Sequence, residues 1–281
     1  YVVLSDTPKY NHDIPAITYG TKGMVYKEIT LVGPKQDLHS GSFGGTVLNP
    51  GNVLASIIAS LKDSDQRVTI PGFYDMVRDL TDIERERISQ LPFKEEDYAT
   101  GLGVSHLGGE AGFSTLERKW ARPTLDVNGL LTGFTGEGSM TVLPSKSMGK
   151  MSMRLVPDQD PDEISAAFDE AVRKACPPGI QLEINQFVSC SPYVADLESD
   201  GMKAASAAIK AGFDRNPVFI REGGSLPILP LFKEVLGADS LMMGFCLPDC
   251  NAHGPNEVFM VSDLHAGTRS AAHLIAELAA G

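Results

Sequence analysis

The chain is poor in cysteine, poor in basic residues, and has no long apolar run. Four cysteines in 281 residues are too few for a disulfide framework, so a reducing compartment, the cytoplasm, is the expected location. The net charge of −12 disfavours nucleic acid and anionic membranes as partners, because both would repel this surface. No apolar run approaches the ~20 residues of a membrane span, and Tyr1–Leu4 lacks the basic start of a signal peptide.

The middle of the chain predicts the element order βαββαβ. The strands are expected at Met24–Val32, Thr124–Leu131, Ser147–Val156 and around Ile180–Ile184, and the helices begin after the caps Asn49 and Asp160. This order is typical of a split, ferredoxin-like module in which two helices cover one face of a four-stranded sheet. The charged stretch 63–122 must then be an insertion, and at that length it should contain short helices of its own, around Gly72–Gln90.

The two ends of the chain, residues 1–21 and 191–281, predict an α/β arrangement. Apolar runs at Tyr1–Leu4 and Leu241–Phe245 favour strands, whereas Met202–Ala211, the segment after Ser225, and Val261–Leu278 favour helices. The expected fold is therefore a partial α/β domain into which the α+β module 22–190 is inserted.

Two polar residues in these ends are candidate ligands. Asp6 follows the apolar strand Tyr1–Leu4, which we expect to be buried, and ligands bind at the carboxyl ends of strands in open α/β sheets. Asp6 could equally cap the following turn. His253 lies between Gly254 and Ala252, close to Pro255, in irregular backbone that suits a metal or substrate ligand better than a core residue. A loop histidine is otherwise a plain surface residue.

Cys246 and Cys250 precede His253 and invite a zinc-site interpretation. A structural zinc site needs four ligands, and no second pair is nearby in the sequence, so we do not adopt it. Free thiols that act as small apolar residues, or as neighbours of a site, account for them better.

Six short motifs occur in the order and spacing of one family. They are Asp6-Thr7, Asp37-Leu38-His39-Ser40-Gly41, Thr141-Val142-Leu143-Pro144, Arg154-Leu155-Val156-Pro157, Arg221-Glu222-Gly223-Gly224-Ser225 and Ala252-His253-Gly254-Pro255-Asn256-Glu257. On these motifs the whole chain resembles the dinuclear-zinc dipeptidases of the carnosinase and cytosolic non-specific dipeptidase type, which are related to glutamate carboxypeptidase and aminoacylase. The last two motifs carry most of the resemblance.

The resemblance implies a catalytic domain, here residues 1–21 and 191–281, and a lid and dimerisation domain, here 22–190. Members of the family also carry an amino-terminal His-x-Asp motif and a Glu-Glu pair that hold metal and supply the general base. No His-x-Asp precedes Asp6, and the only adjacent pair, Glu95-Glu96, lies in a charged stretch that indicates a solvated face. The chain is therefore expected to be a carboxyl-terminal portion of such an enzyme.

The resemblance also assigns roles to individual residues. Asp6 and His253 would each bind one of two zinc ions, for which manganese or cobalt could substitute. His39, in a glycine-flanked turn, and Thr141 would reach the active site of the partner subunit in a homodimer, where His39 stabilises the oxyanion. The residue-level alternative for His39 is a flexible surface loop.

Three further positions are assigned to the substrate carboxylate. Arg154, on the polar face of its strand, could bind it with two hydrogen bonds, or could simply be a solubilising charge on an edge strand. Gly224 and Ser225 precede a helix with Pro227 expected in its first turn, so their backbone N–H groups could bind an anion. Their alternative is an ordinary helix cap.

The sequence leaves two functional classes. The first is a zinc metallopeptidase that hydrolyses dipeptides or acylamino acids. This chain alone is then expected to be inactive, because Asp6 and His253 give each zinc ion one protein ligand, whereas catalytic zinc commonly has three. The second is a non-catalytic dimerising or binding module derived from the same fold.

Overall fold

The computed structural model describes residues 1–280, which form two compact units. The first comprises Tyr1–Lys22, Leu80–Phe93 and Pro192–Gly281, and the second Gly23–Asp79 and Lys94–Ser191. The sequence predicts residues 80–93 as part of the inserted module, whereas they belong to the first unit. Within the described residues, no helix is long and apolar enough to cross a membrane.

Among the described residues, four strands and five helices come first, and strands and helices alternate mainly after residue 155. The strands are β1 (Val2–Leu4), β2 (Ala16–Thr21), β3 (Gly23–Val32), β4 (Leu38–His39), β5 (Thr124–Thr132), β6 (Val142–Leu143), β7 (Lys146–Leu155), β8 (Gln181–Cys190), β9 (Tyr193–Val194), β10 (Val218–Glu222) and β11 (Ser240–Gly244). The helices are α1 (Ser40–Phe43), α2 (Pro50–Ser60), α3 (Asp82–Ser89), α4 (Glu95–Leu102), α5 (Thr115–Ala121), α6 (Pro161–Ala175), α7 (Asp200–Phe213), α8 (Ile228–Leu236) and α9 (Val261–Ala280).

The second unit is built on an antiparallel sheet of order β5-β7-β3-β8. With α2 after β3 and α6 after β7, this is the predicted ferredoxin-like βαββαβ arrangement, and the expected fold is confirmed. Both helices begin where the sequence predicts, because Asn49 and Asp160 accept hydrogen bonds from the first-turn N–H groups and a proline follows each. The core lies between the sheet and these helices, around Ile29, Leu54 and Phe168.

One buried charge ties α6 to the sheet. The Lys27 ammonium on β3 is 4% exposed and lies 2.8 Å from Asp169 Oδ1 on α6, whose side chain is 30% exposed. An ammonium that loses its partner in such a place is costly, because the surrounding apolar groups cannot replace its solvation.

We therefore expect Asp169→Ala to lower the free energy of unfolding by about 2 to 3 kcal/mol, somewhat less than for a fully buried pair because Asp169 is partly solvated. Urea denaturation at neutral pH measures the loss. The matched control is Glu170→Ala at the next, exposed position of α6, which should change stability by no more than about 0.5 kcal/mol. Equal losses in the two variants would show that the pair does not stabilise the unit.

The first unit contains a mixed sheet of order β1-β11-β2-β10, with β9 added to β2. β1 and β11 run parallel to each other, whereas β2 and β10 run in the opposite direction. α7 and α9 pack together, and Met202, Ile209 and Leu274 join the sheet in one buried cluster.

β1 differs from its prediction as a buried strand. Among the described residues it pairs with β11 alone and so forms an edge of the sheet, and Val3 is 47% exposed. Asp6 nevertheless follows its carboxyl end, as predicted. Pro227 also differs, because it is the cap of α8 rather than a residue of its first turn.

Candidate functional site

Asp6 lies where two parallel strands leave the sheet. The segment after β1 runs beside the segment after β11, with Thr7 O accepting from Phe245 N at 3.1 Å and Lys9 N donating to Cys246 O at 2.8 Å. Asp6 is exposed, whereas Thr7 beside it is buried. The carboxylate is thus held at the shared carboxyl edge of β1 and β11, where it is accessible to a ligand.

His253 occupies a tight loop that begins after β11 at this same edge. Val258 N donates to Cys250 O at 3.0 Å and closes the loop, and Asn251 Nδ2 donates to Pro255 O at 2.6 Å across it. His253 has a φ of 62° and Asn251 a φ of 58°. Both residues adopt the left-handed backbone conformation, which is uncommon for residues other than glycine. Backbone held in this region often marks a functional site, and the His253 side chain is exposed.

The described residues supply two candidate metal ligands but no complete set of donors. Asp6 and His253 are a carboxylate and an imidazole, both suitable zinc ligands. No group of three or more His, Cys, Asp or Glu side chains that could hold a metal occurs among residues 1–280. The zinc interpretation of Cys246 and Cys250, which the sequence did not favour, gains no support from the structure either.

His39 and Thr141 lie together on a small two-stranded ribbon. β4 and β6 pair antiparallel, with His39 opposite Val142, and Ser40 N donates to Thr141 O at 2.9 Å. Residues 33–37 connect β3 to the ribbon and residues 144–145 connect the ribbon to β7. Asp37 closes the ribbon by accepting from Ser145 N and Oγ, each at 2.7 Å. These hydrogen bonds lower the pKa of the Asp37 carboxyl, so the closure is present at neutral pH.

The orientation of the His39 ring is set by the helix that it caps. Its Nδ1 accepts from Gly41 N at 3.1 Å and from Ser42 N at 3.3 Å at the start of α1. Nδ1 is therefore an acceptor, and the neutral ring carries its proton on Nε2, which can donate to an anion. A Cβ added to Gly41 would lie 2.9 Å from the ring carbon Cε1, which accounts for glycine there.

Arg154 lies at the other end of the same sheet. It is half-buried on β7, opposite Met24 and Thr124 on the neighbouring strands, and it alternates with buried Met153 and Leu155. Arg154 is eight positions along the extended strand from Lys146, the first residue of β7 and the end nearer the ribbon, a span of roughly 25 Å. His39 and Arg154 of one subunit are therefore too far apart to contact one small substrate.

Gly224 and Ser225 follow β10 and are separated from Asp6 along the first unit's sheet. Gly224 O accepts from Lys22 N at 3.1 Å, and Gly224 is exposed. Because β10 runs opposite to β11, its carboxyl end lies beside Thr21, whereas the end of β11 lies beside Ala16. The two strand ends are about 17 Å apart, so the sheet brings Asp6 and the His253 loop together but does not bring residues 224 and 225 to that edge.

Sequence reasoning missed a buried ion pair beside residues 223–225. The guanidinium of Arg221 is 6% exposed, contacts Glu84 Oε1 of α3, and lies 5.0 Å from the ring centre of Tyr19. Glu84 also accepts from Thr81 N at 3.0 Å and so completes the capping box of α3. This pair is one of the contacts that join residues 80–93 to the first unit; Arg87 also lies 3.7 Å from Glu198 Oε1. The only sequence signal was the local pattern Thr81-x-x-Glu84, which does not indicate a distant arginine.

Comparisons with known proteins agree over the whole chain. Residues 19–180, more than half of the chain, match the family described as peptidase dimerisation domain, M20. The Cys-Gly metallodipeptidase DUG1 of Candida albicans is 32% identical over 96% of this chain and 56% of its own length. The human Beta-Ala-His dipeptidase is 29% identical over 99% of this chain and 56% of its own.

Solved structures give the same result. Dug1p from Saccharomyces cerevisiae covers all of this chain at a TM-score of 0.84 with 29% identity, and the match spans 59% of Dug1p. The metallo-carboxypeptidase Sso-CP2 from Sulfolobus solfataricus covers 98% at a TM-score of 0.87 with 32% identity, and the match spans 62% of that protein. The chain thus spans a little more than half the length of these relatives. The resemblance found in the motifs is confirmed: the chain belongs to the M20 family of metallopeptidases, among relatives that are dipeptidases.

Proposed function

We propose that this chain forms the lid and part of the catalytic domain of a metal-dependent dipeptidase that works as a homodimer in the cytoplasm. Its substrates are dipeptides or acylamino acids with a free carboxylate. The observation that carries the proposal is the ribbon, which holds His39 and Thr141 together with His39 Nε2 available to donate, in a chain similar throughout to dipeptidases.

Asp6 and His253 would contribute one ligand to each of two metal ions in the active enzyme. Zinc is the metal proposed, and manganese or cobalt could replace it. When bound, such a pair supplies a water nucleophile at neutral pH and a counter-charge for the oxyanion. No group of donors among residues 1–280 completes either site, and we expect the 281 residues alone to be inactive.

The proposed substrate contacts are at Arg154, Gly224 and Ser225. Arg154 would bind the substrate carboxylate through two hydrogen bonds, and the backbone around Gly224 and Ser225 would help to orient it. A dipeptide is at most about 7 Å long, so it cannot contact Arg154 and His39 of one subunit. We therefore propose that His39 and Thr141 act in the active site of the partner.

Metal analysis combined with intact-mass measurement, on protein purified from its natural source, tests the function. We expect two metal ions per polypeptide and hydrolysis of Cys-Gly or β-Ala-His that a chelator abolishes. A metal-free polypeptide of 281 residues that hydrolyses neither substrate would instead support the non-catalytic dimerising module. Chelator-sensitive hydrolysis by the isolated 281 residues would contradict the inference that these residues do not form a complete metal site.

The dimer surface is proposed to be the β5 edge of the second unit. β5 exposes Val127, Leu130 and Leu131, the last two at 56% each, whereas the opposite edge strand, β8, exposes mainly polar side chains. An exposed apolar edge strand is a surface on which another copy can pair. The exposed Phe187 on β8 already packs against Tyr26, with ring centres 6.1 Å apart.

We expect Leu131→Lys to weaken the dimer at least about tenfold, because a charge would then be desolvated in the contact. Sedimentation equilibrium across a dilution series measures the dissociation constant. Phe187→Lys on the other edge strand is the matched control and should leave it unchanged. β5 is not the dimer surface if the two variants raise the dissociation constant equally, or if only the Phe187 variant raises it.

A further inference from the structure

A buried ion pair joins the segment that carries Asp6 to the helix that follows the loop of His253. The Lys9 ammonium, three residues after Asp6, is 4% exposed and lies 2.9 Å from Oδ1 of Asp263, whose side chain is 9% exposed. Asp263 belongs to the first turn of α9. The pair therefore connects the two segments that carry the candidate ligands, at the edge of the sheet where both segments leave it.

Further hydrogen bonds fix each partner of the pair within its own segment. Lys9 Nζ also donates to His12 O at 2.9 Å, and Asp263 N donates to Met260 O at 3.0 Å. Asp263 Oδ2 is buried and has no hydrogen-bond partner among the described residues, so the carboxylate depends on Lys9 for its counter-charge. The positive end of the α9 dipole favours the same negative charge.

Stability alone does not account for charges in this place. Lys9 Nζ lies 5.8 Å from the ring centre of Phe213, which stacks on Phe245. Two apolar side chains of similar volume could pack against these rings with little loss of stability, because a buried ion pair must first be desolvated. An ion pair differs from an apolar contact in its direction, since it holds the ammonium and the carboxylate at hydrogen-bonding distance.

A second contact between the same segments is too exposed to have this effect. His12 Nε2 lies 3.0 Å from Asp249 Oδ2, but both side chains are largely exposed. Exposed pairs contribute little, because water and salt screen their charges. The buried pair of Lys9 and Asp263 is therefore the stronger link.

We propose that Lys9 and Asp263 are positioning residues, which hold the segment of Asp6 and the loop of His253 in a fixed relation to each other. This inference rests on the proposed function, in which Asp6 and His253 each bind one metal ion. The role is indirect. Ligands that are already in place lose less conformational entropy on binding, so the metal binds more tightly.

Replacing the pair with apolar residues separates position from stability. In the 281-residue protein, Lys9→Met leaves Asp263 buried without its counter-charge and should lower the urea midpoint, whereas Lys9→Met combined with Asp263→Leu should return most of the way to the parent midpoint. Amide hydrogen exchange is then measured at Val258, whose N–H closes the His253 loop. In the double variant we expect this exchange to be at least about tenfold faster than in the parent, with exchange in β11 unchanged.

The zinc affinity of the complete enzyme, measured by competition with a chelator, is the second readout. We expect the double variant to bind zinc at least about tenfold more weakly, although its stability is close to that of the parent. The matched control replaces the buried pair of the other unit, Lys27→Met combined with Asp169→Leu. It should change neither the exchange at Val258 nor the zinc affinity.

The proposal is overturned if exchange at Val258 is as slow in the double variant as in the parent, or if it is faster while the zinc affinity does not change. It is also overturned if the double variant is no more stable than Lys9→Met, or if the control pair gives the same effects. A complete parent enzyme that binds no metal would contradict the proposed function instead, and exchange at Val258 would still decide whether the pair holds the loop. If Lys9→Met fails to fold, the comparison of the double variant with the parent decides the matter.

Discussion

Glu84→Ala is expected to lower the free energy of unfolding by about 3 to 5 kcal/mol, one of the largest effects of any single substitution in this chain. The cause is Arg221, whose side chain is 6% exposed and whose Nε has no hydrogen-bond partner among the described residues. Without Glu84 the guanidinium stays buried above Tyr19 with its main counter-charge removed, and α3 loses its capping box as well. Urea denaturation of the 281-residue protein measures the loss.

Two further variants separate the contributions of Glu84. Thr81→Ala removes the cap but keeps the ion pair, and should cost only about 1 kcal/mol. Glu84→Ala combined with Arg221→Met replaces the buried pair with apolar groups and should recover more than half of the loss. If Glu84→Ala is no more destabilising than Thr81→Ala, the contact with Arg221 contributes nothing and α3 must be held by other means.

The contrast between Glu84 and Asp160 shows which features the sequence could predict. Asp160 caps α6 by accepting from N–H groups two and three residues away. Its role can therefore be predicted from a few adjacent residues, as can the alternation of buried and less buried side chains along β7. The partner of Glu84 is 137 residues away, and no periodicity relates the two. The sequence therefore predicts residues 80–93 in one unit with their sequence neighbours, whereas the ion pair is among the contacts that join them to the other unit.

The candidate site likewise combines local features, which the sequence predicts, with contacts between distant residues, which it does not. The motifs identified the residue types, because a histidine among glycines and a histidine beside proline are local patterns. The pairing of His39 with Val142, the Asp37–Ser145 closure and the exposure of Val3 at a sheet edge depend on strands that are distant in sequence. Strand direction, which separates Ser225 from the edge that carries Asp6, likewise cannot be read from local alternation.

Mixing two inactive subunits is expected to restore activity if His39 acts in the partner's site. In the active enzyme, His39→Ala and His253→Ala should each abolish hydrolysis, because every site of either homodimer lacks a required group. A heterodimer of the two has one site with both histidines and one with neither. Random mixing makes about half of the dimers heterodimers, so activity should return to roughly a quarter of the parent value.

The control for this mixture uses two variants from the same ribbon. Thr141→Ala mixed with His39→Ala gives heterodimers in which one site lacks His39 and the other lacks Thr141, so activity should not rise above that of the parents. The ribbon holds both side chains on one subunit, and they must therefore enter the same site together. If the His39 and His253 mixture stays inactive while mass spectrometry shows heterodimers, His39 does not act across the dimer. If the control mixture gains activity, the two ribbon residues serve different sites.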